Sequence, residues 1–199
     1  MPHLFTIGHS THPLNHFVEL LHRHGVTAVA DVRSVPYSRF NPQYNREALA
    51  ASLQGAAIEY VYLGFEFGAR RHEPECQTGD GTRRFDVAAR LPAFQQGKNR
   101  LRQGLVRFDI ALMCAEQDPL LCHRHRLVCR HVADEWPAIR HIREDGSLES
   151  QTELESRLLE QCGLPEADLF RGRRELLAEA YARLGDAGDD PADTEDRTA

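Results

Sequence analysis

Residues 112–132 read LMCAEQDPLLCHRHRLVCRHV and crowd thiols, imidazoles and guanidiniums around one strand-to-helix turn. Cys114 ends an apolar run, and Cys122, His123, Arg124, His125 and Arg126 follow shortly after it. These residue types suit a metal site, a thiol nucleophile, an anion clamp, or simply the solvated start of a helix. A structural zinc site would use ligand pairs at short spacing. No C-x-x-C pair occurs, so Cys114, Cys122, His123 or His125, and His9 could share a metal only by converging in the fold. No metal ligand is therefore assigned, and the cofactor stays open. A thiol-phosphatase loop would need an arginine where Leu120 and Val128 stand, so that spacing fails. Cys122, near a helix N-terminus beside His123 and Arg124, could carry a lowered pKa and act as nucleophile. The alternative is a small buried thiol packed on a sheet. Cys129 reads as a core thiol, and Cys76 and Cys162 carry no signal. His125 and Arg126 are expected to face solvent.

Other polar segments end apolar runs in the same way. IGHST offers Gly8 for close backbone approach, Ser10 and free amides for an anion, and His9 for proton transfer. Ser10 or Thr11 acting as a helix cap is the simpler alternative. DVRSVPYSR places Asp31 and Arg33 on one side of a strand, as base and anion clamp or as an ordinary ion pair. Tyr37 and Arg39 follow in the same loop, and Tyr62 ends the third run. The candidate catalytic residues are thus His9, Asp31, Cys114, Glu116 and Cys122. The candidate substrate-binding residues are Gly8, Ser10, Arg33, Tyr37, Arg39, Tyr62, His123 and Arg124.

The elements that must position them alternate. Strands are expected at 3–7, 26–32, 57–63, 108–114 and 138–142 from short β-branched or apolar runs. Helices are expected at 14–24, 46–54, about 85–105 with a break near Pro92, from Pro119 to about Glu135, 151–161 and 166–184. Alternation predicts a single α/β domain: a mostly parallel sheet of about five strands with helices on both faces. Such sheets bind ligands at the carboxyl ends of their strands, where the polar segments fall. The expected organisation is a core over 1–145, a helical extension over 146–184 packed on it, and a disordered acidic tail over 185–199.

Composition narrows the class. The 199 residues are 41% hydrophobic and 27% charged, which suits a globular chain. No apolar run approaches the roughly 18 residues of a membrane span. No secretion signal is apparent, so a cytoplasmic, membrane-free protein with reduced thiols is expected. The net charge of −6 is concentrated in the tail GDAGDDPADTEDRTA, and Lys98 is the one lysine.

TIGHST, DVRSVPYSR, YVYLGFEFGAR and LMCAEQDPLLCHRHRL, in that order, resemble the prokaryotic family catalogued as domain of unknown function 488. The likeness spans roughly residues 3–145 and includes HIREDG. It implies a compact α/β domain with a site shared by the GHS, DVR, CAE and CHR segments, and no settled reaction. One departure is Ala69, where the pattern pairs glycines. The leading expectation is an enzyme whose strand-end cleft binds a phosphate-bearing substrate, a nucleotide or nucleic acid, using Cys/His/Asp chemistry. A non-catalytic nucleotide or nucleic-acid binding module and a metal-dependent hydrolase are the alternatives.

Overall fold

A computed structural model describes residues 3–79, 81–136 and 138–184. The acidic tail expected to be disordered, 185–199, lies outside the described residues. One six-stranded sheet runs β3-β2-β4-β1-β5-β6. Its strands are β1 (Leu4–Gly8), β2 (Ala28–Asp31), β3 (Glu59–Tyr62), β4 (Ile110–Cys114), β5 (Arg140–Ile142) and β6 (Leu148–Ser150). The first five are parallel, and β6 pairs antiparallel with β5. The α/β class and the five parallel strands match the alternating pattern. The sixth strand is too short to show a period in sequence, and it carries the sheet past residue 145.

Every residue of β1 and β4 is buried, as expected of strands covered on both faces. Side-chain alternation divides them between two cores. Phe5, Ile7, Val29, Ala111 and Met113 meet α1 (Leu14–Arg23) and α2 (Arg46–Gly55) on one face. Leu4, Ala28, Ala30, Leu112 and Cys114 meet α3 (Gly64–Phe67), α4 (Phe85–Ala88), α5 (Pro92–Gly104) and the segment after β4 on the other. The chain therefore leaves β1 toward one face and its neighbour β4 toward the opposite face. A crevice must open between two such diverging connections, at the carboxyl ends of β1 and β4.

Two features shape that crevice. First, Gly8 is held against the loop after β4: a Cβ there would lie 1.9 Å from the Glu116 carbonyl oxygen. The glycine thus admits the chain's own backbone rather than a ligand. Gly8→Ala is expected to cost at least about 1–3 kcal/mol, because the obstacle is backbone. Urea unfolding would measure it. Second, residues Arg124–Cys129 wind as a π-helix that continues into α6 (Arg130–Val132). Such wide turns are frequent at functional sites.

The helices α7 (Gln151–Gln161) and α8 (Arg173–Leu184) follow β6. Ser150 and Glu153 form a reciprocal capping box at the start of α7. Leu154, Leu158, Leu159, Leu176 and Tyr181 pack together with Leu120 of the β4–α6 connection. This packing corrects one expectation: His125 and Arg126 are buried, not solvent-facing. Tyr181 lies 3.0 Å from His125 Nε2, and the Arg126 guanidinium sits over the Phe85 ring. The wide π turn and the cover supplied by α8 put both side chains inside.

A second buried imidazole, His141, lies between Thr6 (2.9 Å) and Gln151 (3.1 Å). Burial, then the charges of His125 and Arg124, hold its pKa well below the ordinary 6.5. The folded state therefore keeps His141 neutral while the unfolded chain takes up a proton below about pH 6.5. Stability falls as pH falls through that window, by up to about 1.4 kcal/mol per pH unit for this one group. Urea midpoints at pH 7 and pH 5 should show the loss, and His141→Asn should reduce it.

Candidate functional site

Four side chains converge where β4 ends. Cys114 is the last residue of β4, and its alternation turns it toward the α6 face. Glu116 is two residues on, and Cys122 and His123 lead into the π turn. The ligand atoms of Cys114, Glu116, Cys122 and His123 all lie within 4.8 Å of one another. Cys114 Sγ is 2.9 Å from Glu116 Oε2 and 3.5 Å from His123 Nδ1. A tetrahedral zinc with ligand distances of 2.0–2.3 Å would space its ligands about 3.3–3.8 Å apart. The cluster is within a small adjustment of that spacing.

The surroundings fix the cluster's orientation. His123 Nε2 donates to the Val32 carbonyl at 2.9 Å, so Nδ1 is the nitrogen turned to the sulfurs. This is the support that metal-ligating imidazoles usually have. The Arg124 amide donates to Cys122 Sγ at 3.3 Å. The Arg124 guanidinium donates to the carbonyls of Glu116 and Gln117 and pins the loop that carries Glu116. From β1, the amides of His9 and Ser10 donate to Cys114 O and Ala115 O at 2.9 and 2.8 Å. Ser10 accepts a left-handed φ of 46° to make that turn.

Several expectations are corrected by this geometry. Cys122 is not an acidified thiol: burial pushes it well above the ordinary thiol value, and the Cys114 contact adds to the shift. Burial likewise raises Cys114, to about 11. The helix N-terminus that was to lower Cys122 is outweighed by its complete desolvation. Arg124 is not a substrate clamp, because it is fully buried and spent on two carbonyls. The amides after Gly8 are not an anion cradle, since both pair with the β4 extension. Neither Ser10 nor Thr11 caps α1, whose first residue follows Pro13 with no side-chain cap.

Asp31 and Arg33 form an ion pair rather than a base beside a free clamp. Asp31 is fully buried and accepts from Arg33 Nε at 2.9 Å, from its terminal nitrogen at 2.6 Å and from Tyr60 at 2.7 Å. Arg33 also donates to Tyr44 O and to His9 Nε2, at 2.8 and 3.2 Å. His9 donates from Nδ1 to Ser10 O at 2.7 Å and stacks on Tyr44 at 4.1 Å. Burial and then the Arg33 charge lower His9 to about 4, so it is neutral with both nitrogens engaged. It positions Arg33.

A cleft of about 360 Å³ opens beside the cluster, lined in part by His9, Ser10, Arg33, Tyr37, Cys114 and Glu116. Tyr62 and Arg39 are not in its lining. Tyr62 donates to Ser34 O at 3.0 Å beneath the Arg46 guanidinium, on the edge strand. Arg39 lies 4.8 Å over the Phe40 ring. Lining residues not singled out in the sequence include Val35, Phe40 and Gln117. The first two sit in the proline-rich loop after β2, and their exposure was the missing signal. Glu116 and Gln117 also border a second cleft of about 770 Å³ with Asp118, Arg143, Glu144 and Asp145.

Fold and site together define a class: an α/β protein with a thiol, imidazole and carboxylate cluster at the switch point of a parallel sheet. The chain belongs to the family described as domain of unknown function DUF488, whose model matches residues 13–130. No curated protein and no solved structure matches it. Among the described residues, no helix is long and apolar enough to cross a membrane.

Proposed function

We propose that the protein is a metal-dependent hydrolase holding a zinc-type cation at the carboxyl end of β4. The observation that carries this is the convergence of Cys114, Glu116, Cys122 and His123 within 4.8 Å, with His123 already oriented by Val32. Two sulfurs and an imidazole favour zinc over the hard cations. Three protein ligands leaving one open position are the pattern of catalytic zinc sites. Cys114, Cys122 and His123 supply the three. Glu116 is half-buried and borders both clefts, which suits a carboxylate that takes the proton of an attacking water. The phosphate or nucleic-acid ligand expected from Arg33 and Arg124 is not carried into this reading. Arg33 is the one guanidinium in the cleft lining, and Asp31 neutralises it.

The test is metal analysis of protein purified without added ions, followed by X-ray absorption at the zinc edge. About one equivalent of zinc with two sulfurs, one nitrogen and an exchangeable oxygen is expected. Metal-free protein that also fails to take up zinc would overturn the proposal. A closed shell in which Glu116 is the fourth ligand would make the metal structural and remove the hydrolase reading.

A further inference from the structure

We propose that the cleft beside the cluster takes a small heteroaromatic ring that carries an exocyclic amino group and no phosphate, and that the reaction is its hydrolytic deamination. This rests on the metal-site reading above and adds to it the substrate class.

The cleft mouth displays apolar side chains that a folded chain ordinarily covers. Val35, Tyr37 and Phe40 are 45%, 50% and 63% exposed, and all three line the cleft. They are held there by local hydrogen bonds. The Ser38 amide donates to Asn45 Oδ1 at 2.7 Å, and the amides of Phe40 and Asn41 donate to Ser38 Oγ at 3.2 and 3.3 Å. The Tyr37 hydroxyl donates to Glu47 at 2.8 Å. A loop tied in this way cannot simply fold its aromatics into the core. Aromatic faces at a concave polar site are platforms for planar rings. The uncharged polar residues of the lining, Ser10, Ser38, Asn41 and Gln117, are donors and acceptors that suit the edge of a heterocycle.

Charge among the lining side chains disfavours phosphate. Arg33 is neutralised by Asp31 at 2.6 Å. The adjoining cleft, which shares Glu116 and Gln117, adds Glu144 and Asp145, while its Asp118 is paired with Arg157 at 2.7 Å. Three carboxylates, Glu116, Glu144 and Asp145, then border the two clefts, which disfavours a phosphate and suits a departing amine. Size agrees: about 360 Å³ is at the lower end of the roughly 300–1,000 Å³ typical of small-ligand sites. A free base or nucleoside fits such a cleft better than a strand of nucleic acid.

Glu116 belongs to the cluster and also lines the cleft, so it can serve a ring bound there, and the chemistry balances. The water oxygen bonds to the amino-bearing ring carbon. Glu116 takes one water proton and gives it to the adjacent ring nitrogen. It then takes the remaining hydroxyl proton and gives it to the amino group. The C–N bond breaks, ammonia leaves and a ring carbonyl remains. A divalent cation at Cys114, Cys122 and His123 would supply the positive charge that acidifies the water. No oxidant or reductant is needed.

The experiment uses the zinc-loaded full-length chain, with zinc content measured first. Ammonia release is followed from aminopyrimidines and aminopurines, each as base, nucleoside and 5′-monophosphate. Binding of the corresponding oxo compounds is followed by equilibrium dialysis. At least one base or nucleoside is expected to release ammonia, with its monophosphate at least about 10-fold poorer in kcat/KM. Phe40→Ala should raise KM about 5–150-fold, the loss of one stacked ring, without loss of zinc. Glu116→Gln should end ammonia release while ring binding persists. A zinc-bound protein that neither binds these rings nor releases ammonia overturns the substrate class and leaves the metal site standing. Ring binding without ammonia release, or a preference for the monophosphates, also overturns it. A protein that takes up no zinc overturns the underlying metal reading instead.

Discussion

With zinc at the proposed site, chelating it from the zinc-loaded protein is expected to lower the melting temperature by about 8–16 °C. A cation present at a thousand times its Kd stabilises the folded state by about 4.1 kcal/mol. In a chain of this size each kcal/mol moves the midpoint by roughly 2–4 °C. The expected effect is large because the proposed ligands are preassembled: Cys114 and Cys122 are both 1% exposed, and His123 is held by Val32. Cys122→Ser and His123→Ala should each lower zinc affinity by more than the 10–100-fold typical of losing only a supporting hydrogen bond. Their melting temperatures should then no longer respond to chelator. Cys129→Ala is the control. Cys129 is equally buried in the same π turn but outside the cluster, so it should lose packing energy and keep its zinc. Equal loss of zinc in the control would show that the sulfurs act through the fold rather than as ligands. Glu116 separates two roles. Glu116→Gln should retain the cation if the carboxylate handles protons, and lose it if the carboxylate is a ligand.

Breaking the buried pair under the cleft should have the next largest effect. Asp31→Ala is expected to destabilise the protein by about 3–5 kcal/mol, a drop of roughly 6–20 °C. The reason is desolvation. The Asp31 and Arg33 side chains are 0% and 7% exposed, and removing the carboxylate strands a guanidinium away from water. It also strands the Tyr60 hydroxyl, which donates to the same carboxylate. Replacing both partners, as in Asp31→Leu with Arg33→Met, should recover much of the loss, because no unpaired charge remains. Urea unfolding of the two singles and the double closes the cycle. A single-mutant loss below about 1 kcal/mol would mean that water reaches the pair. Arg33 would then be available to anions after all, and phosphate binding to the cleft would return as the stronger reading.

Much of this protein was legible in its sequence because the signals were local. Short apolar or β-branched runs ended by Gly8, Asp31 and Cys114 marked the strands, and their alternation with helices pointed to the parallel sheet. Parallel connections carry every strand's carboxyl end to the same edge, so the reactive residues were bound to gather there. The sequence also ruled out a spacing-coded zinc motif and a phosphatase loop. What it could not decide were partners far apart in the chain. Cys114 meets Cys122 and His123 only because the turn at Pro119–Leu121 brings the chain back beside the end of β4 before the π turn begins. Arg33 and Arg124 read as free cations, yet Asp31, Tyr44 and the carbonyls of Glu116 and Gln117 consume them. His125 read as a surface residue until α8 covered it with Tyr181. Residue type and spacing determine which elements form and which chemistry they can carry. Whether a thiol is a ligand or a core atom, and whether a charge is free or spent, depends on desolvation and on long-range neighbours. Those exist only once the sheet, the π turn and the C-terminal helices have packed together.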